Sequence, residues 1–189
     1  MIFTQENECS AVLDACVLVP MALCDCLLRL AEEPAMYRPL WSEKILAEMA
    51  KALRTKLHRS PAEVAWRKEQ MNRAFPEAAV SVPSELLSAV ECIPDKDDRH
   101  VLAAAVMGRA NTIVTQNTKH FPRACLDKFG VLCQTADDFL VHQYDLSPQL
   151  ILDKLDDQAA GISQNRAYVI SSLKPSAVEF CKLVEMHAL

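Results

Sequence analysis

The sequence predicts an α/β fold in which short, buried, parallel strands alternate with helices, followed by a helical extension at the C-terminus. Two short apolar runs, at residues 11–14 and 111–115, lack the polar alternation of a half-exposed strand and indicate strands buried on both faces. Long segments rich in Ala and Leu, with only 3 glycines in the chain, favour helices between them. A strand, a helix and a second strand in this order form a parallel crossover unit.

Length and composition indicate a folded protein with one full domain. The chain has 189 residues, of which 51% are hydrophobic, and its mean hydropathy is +0.04, which argues against a disordered chain. The formal net charge is −5 and the pI is about 5.5. Because a general nucleic-acid binder carries a basic surface, a nucleic acid would have to bind here through a local basic patch or a metal ion.

The chain contains eight cysteines, and their surroundings predict free thiols. Four lie in apolar runs, where free Cys behaves as a small buried hydrophobe: Cys16, Cys92, Cys133 and Cys181. Cys24 and Cys26 have the wrong spacing for a zinc ribbon, and no second pair matches them. No secretory signal precedes the cysteines, and the apolar run at residues 11–24 is interrupted by Asp14 and too short for a membrane span. We therefore expect a reduced, cytoplasmic protein without a membrane segment.

The first predicted strand, at residues 11–14, ends on Asp14. Ligand sites of open α/β sheets form beyond the carboxyl ends of the strands, so Asp14 is a candidate site residue. An Asp that only ends the strand or caps the next turn is the alternative. Pro20 then opens a predicted helix at residues 21–33.

Ser42 is the expected N-cap of the next helix, whose buried face repeats at helical spacing through Ile45 and Met49. Glu48 falls about 60° from Ile45 around this helix, at the edge of the buried face, where its carboxylate can reach into a crevice. A solvated glutamate beside a neighbouring lysine is the alternative.

A basic cluster follows at residues 51–59 and consists of Lys51, Arg54, Lys56, His58 and Arg59. It is interpreted either as a solvated helix end that the helix dipole stabilises or as a phosphate-contacting patch. Ser60, Pro61 and Glu63 then predict the start of a helix that continues to about residue 74. A weak strand at residues 80–82 and a turn of helix at residues 86–90 are expected after it.

The stretch at residues 94–105 places three aspartates before an Ala-rich helix. Asp95 is the expected N-cap, with Asp98 at the N3 position and the acids complementing the helix dipole. Asp98 also lies three and four residues before Val101 and Leu102, so it begins the face that packs inward. A carboxylate that faces the interior needs a partner, and a metal ion shared with other acids would supply one.

A second buried strand is predicted at residues 111–115, and the loop at residues 116–122 after it carries Asn117 and His120. Because parallel strands end at the same edge of a sheet, this loop is expected beside Asp14.

A third short strand at residues 131–133 and a helix capped by Thr135 complete a predicted domain at residues 10–142. Residues 145–189 are expected to add only helices, as a C-terminal extension.

The candidate residues that the fold would gather at one sheet edge all offer hard oxygen donors: Asp14, Glu48, Asp98 and Asn117. Such a set suits Mg²⁺ or Mn²⁺ and does not suit zinc. Without a cation the carboxylates would repel, and at least one would keep its proton. A divalent ion lowers the pKa of bound water and offsets charge on a phosphate under attack, so phosphodiester hydrolysis is the predicted reaction class.

Four segments, taken together, resemble a PIN domain in that family's order and spacing: residues 12–14, 42–48, 95–105 and 113–122. The last two segments are most similar to its VapC-type toxin branch. The resemblance covers residues 10–142 and implies a PIN-like fold, with a short parallel sheet sandwiched by helices. It also implies a Mg²⁺- or Mn²⁺-dependent endoribonuclease that leaves 5′-phosphate and 3′-hydroxyl ends.

The resemblance carries the family's metal-binding acids onto Asp14, Glu48 and Asp98, and its fourth position, Asp or Asn, onto Asn117. His120 departs from the family, many members of which have an acid there. We interpret it as a loop histidine without a role, with an RNA phosphate contact or a weakened second metal site as alternatives. The resemblance further implies an RNA substrate and a small cognate antitoxin encoded alongside, and we expect a homodimer.

Two other functions match parts of the pattern. A haloacid-dehalogenase-like phosphatase also has an Asp after its first strand, but it needs a second Asp two residues later, where this chain has Cys16. A catalytically silent PIN-like interaction module, whose acids bind a basic partner, is the second. Its support is the His120 departure and the C-terminal helices, which offer a protein-binding surface.

Overall fold

The computed structural model describes residues 9–187, with a five-stranded parallel sheet at its centre. The strands are β1 (Ser10–Leu13), β2 (Arg38–Ser42), β3 (Ala79–Val80), β4 (Thr112–Val114) and β5 (Leu132–Gln134). Their spatial order is β3-β2-β1-β4-β5, and every neighbouring pair is parallel. The predicted α/β class with a short parallel sheet is confirmed.

Helices follow the strands and flank the sheet. They are α1 (Ala15–Leu18), α2 (Met21–Ala31), α3 (Glu43–Lys56), α4 (Pro61–Ala74), α5 (Leu86–Ala89), α6 (Arg99–Gly108), α7 (Arg123–Leu126), α8 (Ala136–Leu146), α9 (Pro148–Gly161), α10 (Arg166–Leu173) and α11 (Val178–His187). Helix α6 packs on β1, β2 and β4, and α3 packs on β2 and α6. The apolar side chains of strands and helices form one buried core, with Trp41, Phe139 and Phe180 its largest fully buried members.

Helix starts with a local capping signal lie where the sequence predicts them. The Ser42 hydroxyl accepts the Ile45 N–H at 3.2 Å and caps α3. Ser60 and Glu63 form both hydrogen bonds of a capping box at the start of α4, and Thr135 caps α8. These signals were predictable because both partners lie within three residues of each other.

Strand β2 and the helices α1, α7 and α10 were not predicted. Strand β2 contains Pro39, which lacks the N–H of a ladder residue and argues against a central strand. The structure tolerates Pro39 because β3 pairs only with Trp41 and Ser42, so no strand lies beside Pro39 on that side.

The helix after the acidic stretch begins later than predicted. Helix α6 starts at Arg99, and Asp98 occupies the N-cap position expected for Asp95. Asp95 instead closes the preceding turn, since its Oδ1 accepts the Asp97 N–H at 2.9 Å and its carbonyl accepts the Asp98 N–H at 3.2 Å. The Asp98 carboxylate makes no capping hydrogen bond. It is therefore available for a contact outside the helix.

The C-terminal helices pack on the sheet-bearing part of the chain. Helix α9 lies against α2, where the buried Lys154 ammonium donates to the Glu32 and Glu33 carbonyls at 3.0 and 3.1 Å. Helix α11 lies against α8, and the Asp137 carboxylate accepts the Phe180 N–H at its start at 2.8 Å. These helices share the continuous apolar core. Within residues 9–187, no helix has the length and apolar character needed to cross a membrane.

Cys92 and Cys125 form a disulfide, with their Cα atoms 5.5 Å apart. The expectation that all cysteines are free is therefore wrong for this pair. Of the four cysteines expected to be buried, Cys181 is buried, whereas Cys16, Cys92 and Cys133 are only partly buried. A bond between residues 33 positions apart depends on the fold and leaves no local signal in the sequence. The other six cysteines are free thiols.

Protein purified without reductant and then unfolded is expected to titrate six thiols, and eight after reduction. Reduction should also lower the free energy of unfolding by about 3–4 kcal/mol, because the bond restricts a long loop of the unfolded chain. Urea denaturation with and without dithiothreitol measures this difference. A Cys92→Ser variant, which cannot form the bond, should unfold at one midpoint in both buffers. Eight thiols in the unreduced protein would contradict the pairing.

Candidate active site

The strand order reverses between β1 and β4, and polar side chains follow both strands at that point. In sheets of this topology, ligands bind in the crevice beyond the carboxyl ends of the strands where the order reverses. Asp14 directly follows β1 and Thr115 directly follows β4. The Asp14 N–H donates to the Val114 carbonyl at 3.0 Å, which holds the two strand ends together. The predicted placement of Asp14 and the β4 loop at one sheet edge is confirmed.

Asp14 is held rigidly by its neighbours. Its side chain is nearly buried, with 6% exposed. One carboxylate oxygen accepts the Ala15 N–H at 2.6 Å, and the other accepts the Thr115 hydroxyl at 2.6 Å. The Cys16 thiol donates to the same second oxygen at 3.1 Å. The sequence left two roles open for Asp14, a cap for the next turn and a site residue beyond the strand end. Asp14 does cap α1, and it also lies in the crevice beyond the carboxyl end of β1.

Asp95, Asp98 and His120 form a cluster at the head of α6, which we call the acid–histidine cluster. One ligand atom from each lies within 4.8 Å of the others. His120 Nδ1 lies 2.6 Å from Asp98 Oδ2. The sequence interpretation of His120 as a loop residue without a role missed this contact. It joins two segments 22 residues apart, so only the fold brings the pair together.

Burial raises the pKa of Asp98 above its ordinary value, and His120 opposes this shift. The charges of Asp95 and Asp14 raise the pKa of Asp98 further. The segment after β4 connects Asp14 with the cluster, since the Thr115 hydroxyl bonds to Asp14 and His120, five residues later, contacts Asp98.

Glu48 lies on α3 beside the helix that carries the cluster. Its Oε1 is 2.9 Å from Nε2 of His100, a residue of α6 whose side chain is 4% exposed. The two atoms approach without the alignment of a hydrogen bond, since neither His100 ring nitrogen has a hydrogen-bond partner in the part of the chain that the structure describes. Glu48 is half-exposed, as its position at the helix edge predicts, and its carboxylate is not part of the acid–histidine cluster.

Asn117 lies in the loop after β4, where it precedes a short 3₁₀ turn at residues 118–120. Its backbone N–H donates to the Thr115 hydroxyl at 3.1 Å, and that hydroxyl donates to Asp14. The Asn117 side chain is exposed and, among residues 9–187, makes no hydrogen bond. The structure therefore brings Asn117 to the site edge through its backbone and leaves its amide open to solvent.

Sequence reasoning missed Thr115 and Cys16 as partners of Asp14. Thr115 is fully buried, and its hydroxyl bonds to Asp14, 101 residues earlier in the chain, and accepts the Asn117 N–H. Burial, together with the Asp14 charge, raises the pKa of the Cys16 thiol to about 12, so Cys16 stays protonated and can donate. The position of each residue just after a buried strand was the available signal.

This site fits a divalent cation by its donors. Asp14, Asp95 and Asp98 supply carboxylate oxygens, and His120 adds an imidazole nitrogen. Within residues 9–187, no Lys or Arg forms an ion pair with any of these three carboxylates. Burial is the main cause of the raised pKa of Asp98 and the Asp95 charge adds to it; a bound cation would offset both effects by stabilising the charged carboxylates.

Comparison with known proteins gives two matches. A family model described as PIN domain matches residues 10–119, which is more than half of the chain. A protein of Mycobacterium tuberculosis named "Putative ribonuclease VapC50" is 55% identical over 49 residues. That stretch covers 26% of this chain and 29% of the relative, so less than a third of the relative's length is matched.

Proposed function

Because the chain belongs to the PIN domain family, we propose that it is a metal-dependent endoribonuclease that hydrolyses phosphodiester bonds in RNA. The observation that carries the proposal is the segment after β4, at the point where the strand order reverses: it begins at Thr115, whose hydroxyl bonds to Asp14, and reaches His120, which contacts Asp98. Similarity to a named ribonuclease over a limited stretch supports the choice of RNA as substrate.

In this proposal Asp14 and Asp98 hold the cation, with His120 as an additional ligand. Glu48 and Asn117 act from the rim, through water. A bound divalent cation supplies a nucleophilic water at neutral pH and offsets the charge that develops on the phosphate. Thr115 and Ala15 fix the Asp14 carboxylate by hydrogen bonds, so it is oriented before any ligand arrives. The loop at residues 116–120 beside the site is largely exposed to solvent.

The imidazole of His120 favours Mn²⁺ over Mg²⁺ in the proposed site. Carboxylate oxygens serve both ions, whereas a nitrogen ligand suits a first-row transition metal better than Mg²⁺. We expect His120→Asp, which makes the donor set all-oxygen, to lower the ratio of Mn²⁺ to Mg²⁺ affinity by roughly tenfold.

Titration calorimetry with each ion measures that ratio independently of catalysis. His142→Asp makes the same chemical change on α8 and serves as the control. An unchanged ratio in His120→Asp would show that the histidine does not bind the metal.

The VapC-type resemblance also leads us to propose a small cognate antitoxin as an inhibitor, and a homodimer as the assembly. Co-expression with the neighbouring open reading frame, followed by light scattering of the purified complex, tests both. A monomer of about 21 kDa that binds no co-expressed product would contradict both expectations.

The experiment that tests the proposed reaction is end mapping of cleaved RNA. Total RNA is incubated at neutral pH with the purified protein, free of other proteins, and the new termini are sequenced. We expect discrete cuts with 5′-phosphate and 3′-hydroxyl ends. No cuts by a well-folded protein in Mg²⁺ or Mn²⁺ would overturn the proposal and favour an interaction module instead.

A further inference from the structure

A cleft between α3 and α4 concentrates positive charge in an otherwise acidic protein. We call it the α3–α4 cleft; its volume is about 840 Å³. Four cationic side chains line it, Lys51, Arg54, Arg59 and Lys68, against one carboxylate, Glu43. The chain as a whole has a net charge of −5. The cleft is therefore a local exception to the charge of the molecule.

Two of these cations have no acidic partner among residues 9–187. Lys68 pairs with Glu43, and Arg59 pairs with Glu63 at 3.2 Å. Within the described part of the chain, Lys51 and Arg54 form no ion pair, and both are exposed on α3. Unneutralised cations in a concave surface attract an anionic ligand more strongly than the same charges on a convex one.

The cleft lies along α3 next to Glu48, which the proposed function places at the rim of the reaction site. Glu48, Lys51 and Thr55 stand at positions i, i+3 and i+7 of this helix, so they form one stripe, and the last two line the cleft. Arg54 is about 9 Å from Glu48 along the helix axis and about 120° around it. A strand bound in the cleft at Lys51 would therefore pass within one helical turn of Glu48.

The lining also indicates what kind of ligand is held. Among residues 9–187, no Phe, Tyr or Trp lines the cleft; its one aromatic ring is the imidazole of His58, and its apolar members are small, such as Ala47 and Ala50. Protein partners are usually anchored by Trp, Tyr or Arg hot spots, and bases by stacking on aromatic rings. Several cations with a single imidazole suit the phosphate backbone, which carries regularly spaced charge and needs no stacking platform.

We propose that the α3–α4 cleft binds the sugar–phosphate backbone of the RNA strand next to the cleavage point, with Lys51 and Arg54 as its phosphate contacts. This inference rests on the proposed ribonuclease function and adds a second contact region to the same substrate. The cleft recognises RNA by charge and not by sequence. Sequence preference then has to arise elsewhere.

The test measures RNA binding without cleavage. Fluorescence anisotropy with a labelled single-stranded RNA is recorded in EDTA, with the wild-type protein and with Asp14→Asn, across a range of KCl concentrations. We expect the double variant Lys51→Ala, Arg54→Ala to bind on the order of tenfold more weakly. The slope of log affinity against log salt concentration should fall by roughly 1.4, or about 0.7 for each lost phosphate contact.

A matched control removes the same charge elsewhere: Arg166→Ala with Lys182→Ala, on α10 and α11. The control should keep the wild-type salt slope. An equal loss in both double variants would show that net charge alone sets the affinity and would overturn the proposal. If poly-glutamate of the same length bound as tightly as the RNA, the proposal would also be overturned, because the cleft would then bind any acidic polymer.

The outcomes separate the two proposals. Normal RNA binding by the cleft variant, in a protein that cleaves RNA, would overturn the cleft and leave the ribonuclease intact. Cleft-dependent binding in a protein that cuts no RNA would support the cleft and overturn the ribonuclease.

Discussion

Asp14→Asn is expected to lower the rate of RNA cleavage on the order of 10³-fold, which corresponds to about 4 kcal/mol of transition-state stabilisation. The asparagine keeps an oxygen that accepts the Ala15 N–H but loses the charge that the proposed cation needs. The fold should persist, since the Ala15 hydrogen bond only loses its charge assistance and the lost acceptor for the Thr115 hydroxyl costs about 1–3 kcal/mol. Initial rates on a defined RNA, with circular dichroism as the fold control, measure both effects.

Asp157→Asn is the matched control for this variant, because Asp157 is exposed on α9 and forms no ion pair within the described residues. It should cleave RNA at the wild-type rate. A folded Asp14→Asn protein that cleaves as fast as the Asp157→Asn protein would remove Asp14 from the site.

Trp41→Ala is expected to lower the free energy of unfolding by about 3–5 kcal/mol. Trp41 lies on β2, is fully buried, and packs edge-to-face against Phe75 with ring centroids 6.1 Å apart. Its indole N–H also donates to Asn72 Oδ1 at 3.1 Å. Removal leaves a large cavity beside the central strand together with an unpaired amide oxygen, and both lower stability.

The chain contains a second tryptophan that serves as the control. Trp66 is on α4 and 61% exposed. Trp66→Ala should change the free energy of unfolding by no more than about 0.5 kcal/mol. Urea denaturation followed by circular dichroism compares the two variants. Equal losses would contradict the placement of Trp41 in the core.

Features encoded by neighbouring residues were predictable from the sequence. Strand β1 with Asp14 after it, the Ser42 cap and the Ser60–Glu63 capping box each depend on contacts within a few residues. Local signals failed where a long-range contact decided the outcome. Strand β2 was not predicted because Pro39 argues against a strand, and the register that tolerates a proline there depends on where β3 begins.

In the candidate site too, features set by neighbouring residues were predictable and features set by long-range contacts were not. Asp14 and Asp98 were identifiable because each carboxylate stands beside an apolar run, where a solvated acid is out of place. The contact between Asp98 and His120, the Thr115 hydroxyl on Asp14 and the Cys92–Cys125 bond join segments distant in sequence. Such pairings cannot be predicted from the residue types alone. The start of α6 was misplaced because Asp95 and Asp98 are the same residue type, and residue type alone does not decide which of them precedes the helix.

The measurement that tests the central claim most directly is cleavage of total RNA by the purified protein in Mn²⁺, in Mg²⁺ and in EDTA, with Asp98→Asn alongside. The account predicts discrete cuts in the presence of either ion, faster in Mn²⁺, and none in EDTA or with the variant. Cleavage that persists in EDTA, or an Asp98→Asn protein as active as the wild type, would contradict a metal-dependent site built on this carboxylate.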